Sequence, residues 1–123
     1  CIAAVGEKPY AEGWGDIAEP ALPANDQMVL DRMRASCDQL TVVLITGRPV
    51  IISDQIDSWD ALLAAWLPGT EGQGVADVLF GSRPFRGKLP YTWPRTVKQL
   101  PFDFETLDPA EPLFPFGYGL TSE

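Results

Sequence analysis

Three glutamates, Glu7, Glu12 and Glu19, share the irregular stretch from Gly6 to Pro23 with Asp16, Tyr10 and Trp14. A carboxylic acid beside an aromatic suits sugar chemistry. The aromatic face stacks on a pyranose ring, and the acid can protonate a departing glycosidic oxygen. Loops longer than about 12 to 15 residues are uncommon unless they bind or catalyse, so this stretch is the first place to look for function. From residue types alone, Glu7, Glu12 and Asp16 read equally well as solvated loop acids.

Two further segments invite a chemical reading. Leu67-Pro68-Gly69-Thr70-Glu71-Gly72-Gln73-Gly74 is glycine-rich ahead of a helix, as a phosphate cradle would be. Its glycine spacing fits neither nucleotide fingerprint, no lysine follows, and Glu71 would repel phosphate. A turn at Pro68-Gly69, with Glu71 favouring the helix start through the dipole, accounts for it better. Arg48, in Thr46-Gly47-Arg48-Pro49, could bind an anion but more often such an arginine anchors a loop to a carboxylate or carbonyl.

Composition narrows the classes. Nine basic against seventeen acidic residues give a net charge of -8, which repels phosphate backbones and disfavours nucleic acid. The chain holds no histidine, which excludes Ser-His and Cys-His catalysis and histidine-based zinc sites within it. Cys1 and Cys37 lie in no metal-ligand spacing and read as free packing thiols, with a disulfide left open. No apolar run approaches the roughly 20 residues that span a bilayer. Neither the residues nor their spacing call for a cofactor.

The elements that must position these groups follow from the apolar pattern. Ile2 to Val5 reads as a buried strand, and Ala24 to Ser36 as a helix with Asn25 or Asp26 as its N-cap. Thr41 to Ile45 is a β-branched buried strand, and Val50-Ile51-Ile52 is a short extended piece. Ala61 to Trp66 reads as a strand ended by Pro68-Gly69, and Glu71 to Phe80 as a helix capped by Gly81. Lys88 to Tyr118 alternates prolines with aromatics. Trp59, Trp66, Trp93 and this Phe-rich tail read as core or interface residues. The order implies an α/β fold: an open, largely parallel sheet flanked by helices, with long loops and an extended aromatic-rich tail.

Several stretches, in order, resemble the second domain of family 3 glycoside hydrolases, of the β-glucosidase and exo-β-glucanase type. They are Gly6-Glu7-Lys8-Pro9-Tyr10-Ala11-Glu12, Thr46-Gly47-Arg48-Pro49, Ala65 to Gly74, Ala76-Asp77-Val78-Leu79-Phe80-Gly81, Gly87-Lys88-Leu89-Pro90 and Phe116-Gly117-Tyr118-Gly119-Leu120. The resemblance implies that residues 1–123 are the C-terminal portion of an α/β sandwich domain. An N-terminal barrel domain of the same protein would carry the nucleophilic aspartate. It also implies that Glu12 is the general acid/base, with Glu7 its local rival, and that the substrate is a β-glucoside or β-glucan oligosaccharide. The family is often exported, which implies a periplasmic or secreted setting.

Three expectations follow. The chain opens within a strand, so it reads as a fragment lacking a preceding strand and the barrel. It should therefore show no glycosidase activity alone. It should also expose apolar surface where the rest of the protein docks. A non-catalytic α/β module that binds carbohydrate or protein is the competing reading.

Overall fold

The structure is a computed structural model that describes every residue except 107, 109, 110, 122 and 123. Part of the aromatic tail and of the domain span 1–123 therefore lies outside the described residues. Three parallel strands form one sheet in the order β1 (Ile2–Gly6), β2 (Thr41–Ile45) and β3 (Ala61–Ala64). Ile2 pairs with Thr41 and Gly6 with Ile45, and Thr41 in turn with Ala61. The α/β sheet read from the sequence is the one observed.

Burial follows strand position. In β2, Val42, Val43 and Leu44 are all buried, so both faces of the central strand are covered. In β1 only Ala3 and Val5 are buried while Ile2 and Ala4 face outward, the alternation of a strand with one covered face. Helix α1 (Ala24–Ser36) joins β1 to β2 and packs Leu30 and Met33 into the core. Between β2 and β3 the chain crosses without an α-helix, through a short 3-10 turn at Ile56–Ser58. Leu22, Leu40, Val50, Ile52, Trp59 and Trp93 complete the core. Trp93 is the largest of the fully buried side chains, and its indole Nε1 donates to the Val50 carbonyl at 2.8 Å. That bond lets an amphipathic ring sit in the interior without an unmet donor.

Three details differ from the sequence expectation. The N-cap of α1 is Pro23, not Asn25 or Asp26; the Asp26 carboxylate instead accepts from the Gly6 amide at 3.0 Å. Asp26 lies in the first turn, close to the end of β1, where a peptide amide needs an acceptor. Strand β3 stops at Ala64, because Trp66 takes a left-handed φ of 55° and turns the chain away. The short extended piece at Val50–Ile52 is present as read, with a parallel bridge between Ile51 and Ala21.

The cysteines are the third. Cys1 and Cys37 are joined in a disulfide, with their Cα atoms 5.9 Å apart. The free-thiol reading fails because the end of α1 returns the chain beside the start of β1. Spacing in sequence gives no sign of that approach.

The second helix, α2 (Gly72–Leu79), follows the Pro68 turn, in which the Glu71 amide donates to the Pro68 carbonyl at 2.9 Å. Gly81 ends it in the left-handed region at φ 81°, as its capping role requires. The tail folds back as an antiparallel bridge between Trp93 and Phe114. None of the helices is long and apolar enough to cross a membrane among the described residues.

Candidate active-site loop and family

The C-terminal ends of β1 and β2 lie side by side, and two of the polar groups singled out in the sequence, Glu7 and Arg48, meet there. The Glu7 amide donates to the Ile45 carbonyl at 3.1 Å, so the ladder runs one residue past the strand. The chain then leaves the sheet. In open α/β sheets ligands gather at this edge.

Glu7 does not face outward. Arg48, just past β2, donates from Nη2 and Nε to Glu7 Oε1 at 2.8 and 3.0 Å. The Arg48 Nη1 group donates to the Gly15 carbonyl. The Tyr10 ring lies against the same guanidinium, 4.3 Å from its carbon to the ring centroid, and the Tyr10 hydroxyl donates to Glu7 Oε2 at 3.3 Å. Burial of the phenol, and next the charge of Glu7, raise the Tyr10 pKa above its ordinary value, with Arg48 opposing. The hydroxyl thus stays protonated and able to donate. Of the two readings of Arg48, the loop anchor is the one observed.

The glycines of this region make room for the ring. A Cβ on Gly15 would come within 2.5 Å of Tyr10 Cδ2, and one on Gly47 within 2.7 Å of the Tyr10 hydroxyl. Tyr10 is therefore wedged between the two segments that Arg48 ties together. The sequence placed Tyr10 in the candidate loop but did not foresee its contact with Arg48. Its signal was a tyrosine five residues ahead of a glycine inside a loop too long to be idle.

Glu12 sits at the start of a 3-10 turn, Glu12–Gly15, at the outer end of the loop. It is exposed, with a left-handed φ of 47°, unusual for a side chain longer than Asn or Asp. Among the described residues none hydrogen-bonds its carboxylate. Trp14, two positions on, is 95% exposed. Asp16 is exposed as well, its amide closing the turn onto Gly13 at 3.3 Å. The structure therefore separates the two rival glutamates: Glu7 is held inside the clamp, and Glu12 is presented to solvent.

A second concave feature runs beside β3. This open cleft of about 730 Å³ is lined by Leu62, Ala64, Trp66, Trp93, Phe114 and Tyr118, among others. Its aromatics pack on one another, Phe114 stacking on Tyr118 at 4.7 Å and Trp66 tilting against Trp93 at 5.8 Å. The cleft is apolar, without converging acids. Among the described residues no group of three or more His, Cys, Asp or Glu side chains could hold a metal ion.

Comparison with known proteins places this arrangement. Residues 1–122 match the glycosyl hydrolase family 3 C-terminal domain. The chain is 32% identical to a periplasmic β-glucosidase of Salmonella typhimurium, covering 98% of this chain and 19% of that protein. It is 36% identical to a xylan 1,4-β-xylosidase of Xylanibacter ruminicola, covering 87% of this chain and 13% of that protein. Among solved structures, a mutant exo-1,3/1,4-β-glucanase (ExoP) from a Pseudoalteromonas species superimposes with a TM-score of 0.86 at 38% identity, over 98% of this chain and 21% of that one. A β-glucosidase from Listeria innocua in complex with isofagomine gives 0.86 at 29% identity, over 98% and 20%. The chain thus spans about a fifth or less of the length of these proteins. On sequence and fold together, the chain belongs to the glycosyl hydrolase family 3 C-terminal domain family.

Proposed function

We propose that this chain is the acid/base part of a retaining enzyme that hydrolyses β-glucosides or β-glucan oligosaccharides, with Glu12 as the proton donor. The observation that carries the reading is the contrast between the two glutamates. Glu12 is exposed at the tip of a loop anchored at the C-terminal edge of the sheet, whereas Glu7 spends both oxygens on Arg48 and Tyr10. Relatives named as a β-glucosidase and an exo-glucanase support this substrate class, while the xylosidase relative makes β-xylosides the competing substrate.

In this mechanism protonated Glu12 gives its proton to the glycosidic oxygen as the C–O bond breaks. An aspartate on an N-terminal barrel domain of the same protein attacks the anomeric carbon and forms a glycosyl ester. Glu12, now a carboxylate, takes a proton from water as that water displaces the ester, which restores both groups. Retention places the two carboxyls about 5 to 5.5 Å apart. Because they sit on different domains, the docking of this domain on the barrel sets that distance. The isolated chain, without the nucleophile, should not turn over a glucoside.

A periplasmic or secreted setting fits the Cys1–Cys37 disulfide, which persists in oxidising compartments, and agrees with the periplasmic relative. The test of function uses the full-length protein carrying Glu12→Ala, assayed on dinitrophenyl and phenyl β-glucosides. Loss of the general acid should cost on the order of 10²–10⁴ in rate on the phenyl substrate and far less on the dinitrophenyl one. Equal, near-wild-type rates on both would make Glu12 a bystander and favour a non-catalytic binding module.

A further inference from the structure

We infer that Arg48 positions Glu12: by bridging the Glu7 carboxylate and the Gly15 carbonyl, it closes the Glu7–Gly15 segment into a fixed loop whose tip carries the acid/base. The inference rests on the acid/base reading of Glu12 given above.

Glu12 has no holder of its own among the described residues, and its backbone adopts a left-handed φ of 47°. A glutamate in that region is strained, and it persists there only where its surroundings impose it. The surroundings here are the two loop ends. Glu7 precedes Glu12 by five positions and Gly15 follows it by three, and one planar cation binds both. The Tyr10 ring fills the space under that cation, and a Cβ at Gly15 or Gly47 would displace it. Arg48 is itself fixed from β2, since the Thr46 hydroxyl, in a residue only 1% exposed, donates to the Arg48 carbonyl at 2.7 Å. The chain of support therefore runs from the buried strand, through Arg48, to both ends of the Glu12 loop.

Proton transfer demands placement within hydrogen-bond reach, and a displacement of about 1 Å can cost two orders of magnitude. An ammonium can meet Glu7 but lacks the planar fork that also reaches Gly15. Arg48 is thus a positioning residue. Its contacts are with Glu7, Gly15 and Tyr10, and its effect on catalysis passes through Glu12.

The test uses the full-length protein with Arg48→Lys, Arg48→Ala, Glu12→Ala and the Arg48→Lys/Glu12→Ala double variant, each checked by thermal melting. Arg48→Lys should lower kcat/KM on phenyl β-glucoside by about tenfold more than on the dinitrophenyl substrate. In the Glu12→Ala background the same change should cost less than about twofold, because the group it positions is gone. Should Arg48→Ala fail to fold, the lysine variant alone decides. Equal losses on both substrates, or a full additive loss in the Glu12→Ala background, would overturn the inference. If Glu12→Ala itself lacks leaving-group dependence, the acid/base reading has failed, and that result is read from Glu12→Ala without reference to Arg48.

Discussion

Arg48 and Glu7 lie 41 positions apart in sequence, yet Nη2 of one sits 2.8 Å from Oε1 of the other, with only 24% and 10% of the two side chains exposed. A pair this sheltered is costly to halve, since the remaining charge keeps its desolvation without its partner. Glu7→Gln should therefore destabilise the fold by about 3 kcal/mol, seen as a lower urea midpoint at unchanged slope. A midpoint within error of wild type would mean the pair is effectively solvated.

Gly15→Ala tests the wedge independently of charge. The new methyl meets the Tyr10 ring at 2.5 Å, so the ring must leave the guanidinium. Overpacking of this kind costs about 1–3 kcal/mol. The double variant Gly15→Ala/Tyr10→Ala should recover part of that loss in a thermal melt. Failure to recover any would place the strain elsewhere in the turn.

The disulfide closes a span of 36 residues from the start of β1 to the end of α1. Chain-entropy arithmetic for a loop of that size gives about 4 kcal/mol of stabilisation. Cys37→Ser, or reduction of the native protein, should lower the melting temperature accordingly. Identical melting with and without reductant would show that the link is absent in solution.

Asp60 gives a pH-dependent contribution of known sign. Its carboxylate accepts from the Leu40 amide at 2.7 Å and from Arg34 Nη1 at 2.7 Å, and these bonds, the amide's first, lower its pKa below the ordinary carboxylate value. The folded state therefore holds the charged form more firmly than the unfolded chain does. That stability is present above about pH 4 and is lost as pH falls through the lower folded-state pKa. Asp60→Asn should flatten the acid side of the stability profile between those limits. A profile of unchanged shape would show that the bonds do not favour the ionised form.

The regular elements were legible because their apolar patterns are local. Helix α1 runs from Ala24 to Ser36 and β2 from Thr41 to Ile45, as the residues suggest, since a β-branched run and a polar-faced helix announce themselves. Glu12 and Arg48 could be singled out from the loop's composition and the motif resemblance. The relationships among them could not. The pairing of Cys1 with Cys37, the capture of the Gly6 amide by Asp26, and the wedge of Tyr10 against Gly15 each depend on which strand ends lie together. Parallel pairing of β1 with β2 decides that, and no local pattern encodes it. Trp66 reads as the end of a strand because its neighbours are apolar. Its left-handed backbone goes with ring contacts to Tyr91 and Trp93, which are distant in sequence and which no local pattern announces.

The central claim, that Glu12 is the acid/base of a retaining glycosidase, is tested most directly by the anomeric configuration of the azide product. Full-length Glu12→Ala is incubated with dinitrophenyl β-glucoside and azide, and the product is identified by NMR. The account predicts β-glucosyl azide, formed when azide displaces the glycosyl ester without needing the missing base. α-Glucosyl azide, formed by direct attack on the substrate, would make Glu12 the nucleophile and contradict the account. Glucose alone, at the wild-type rate, would contradict it equally.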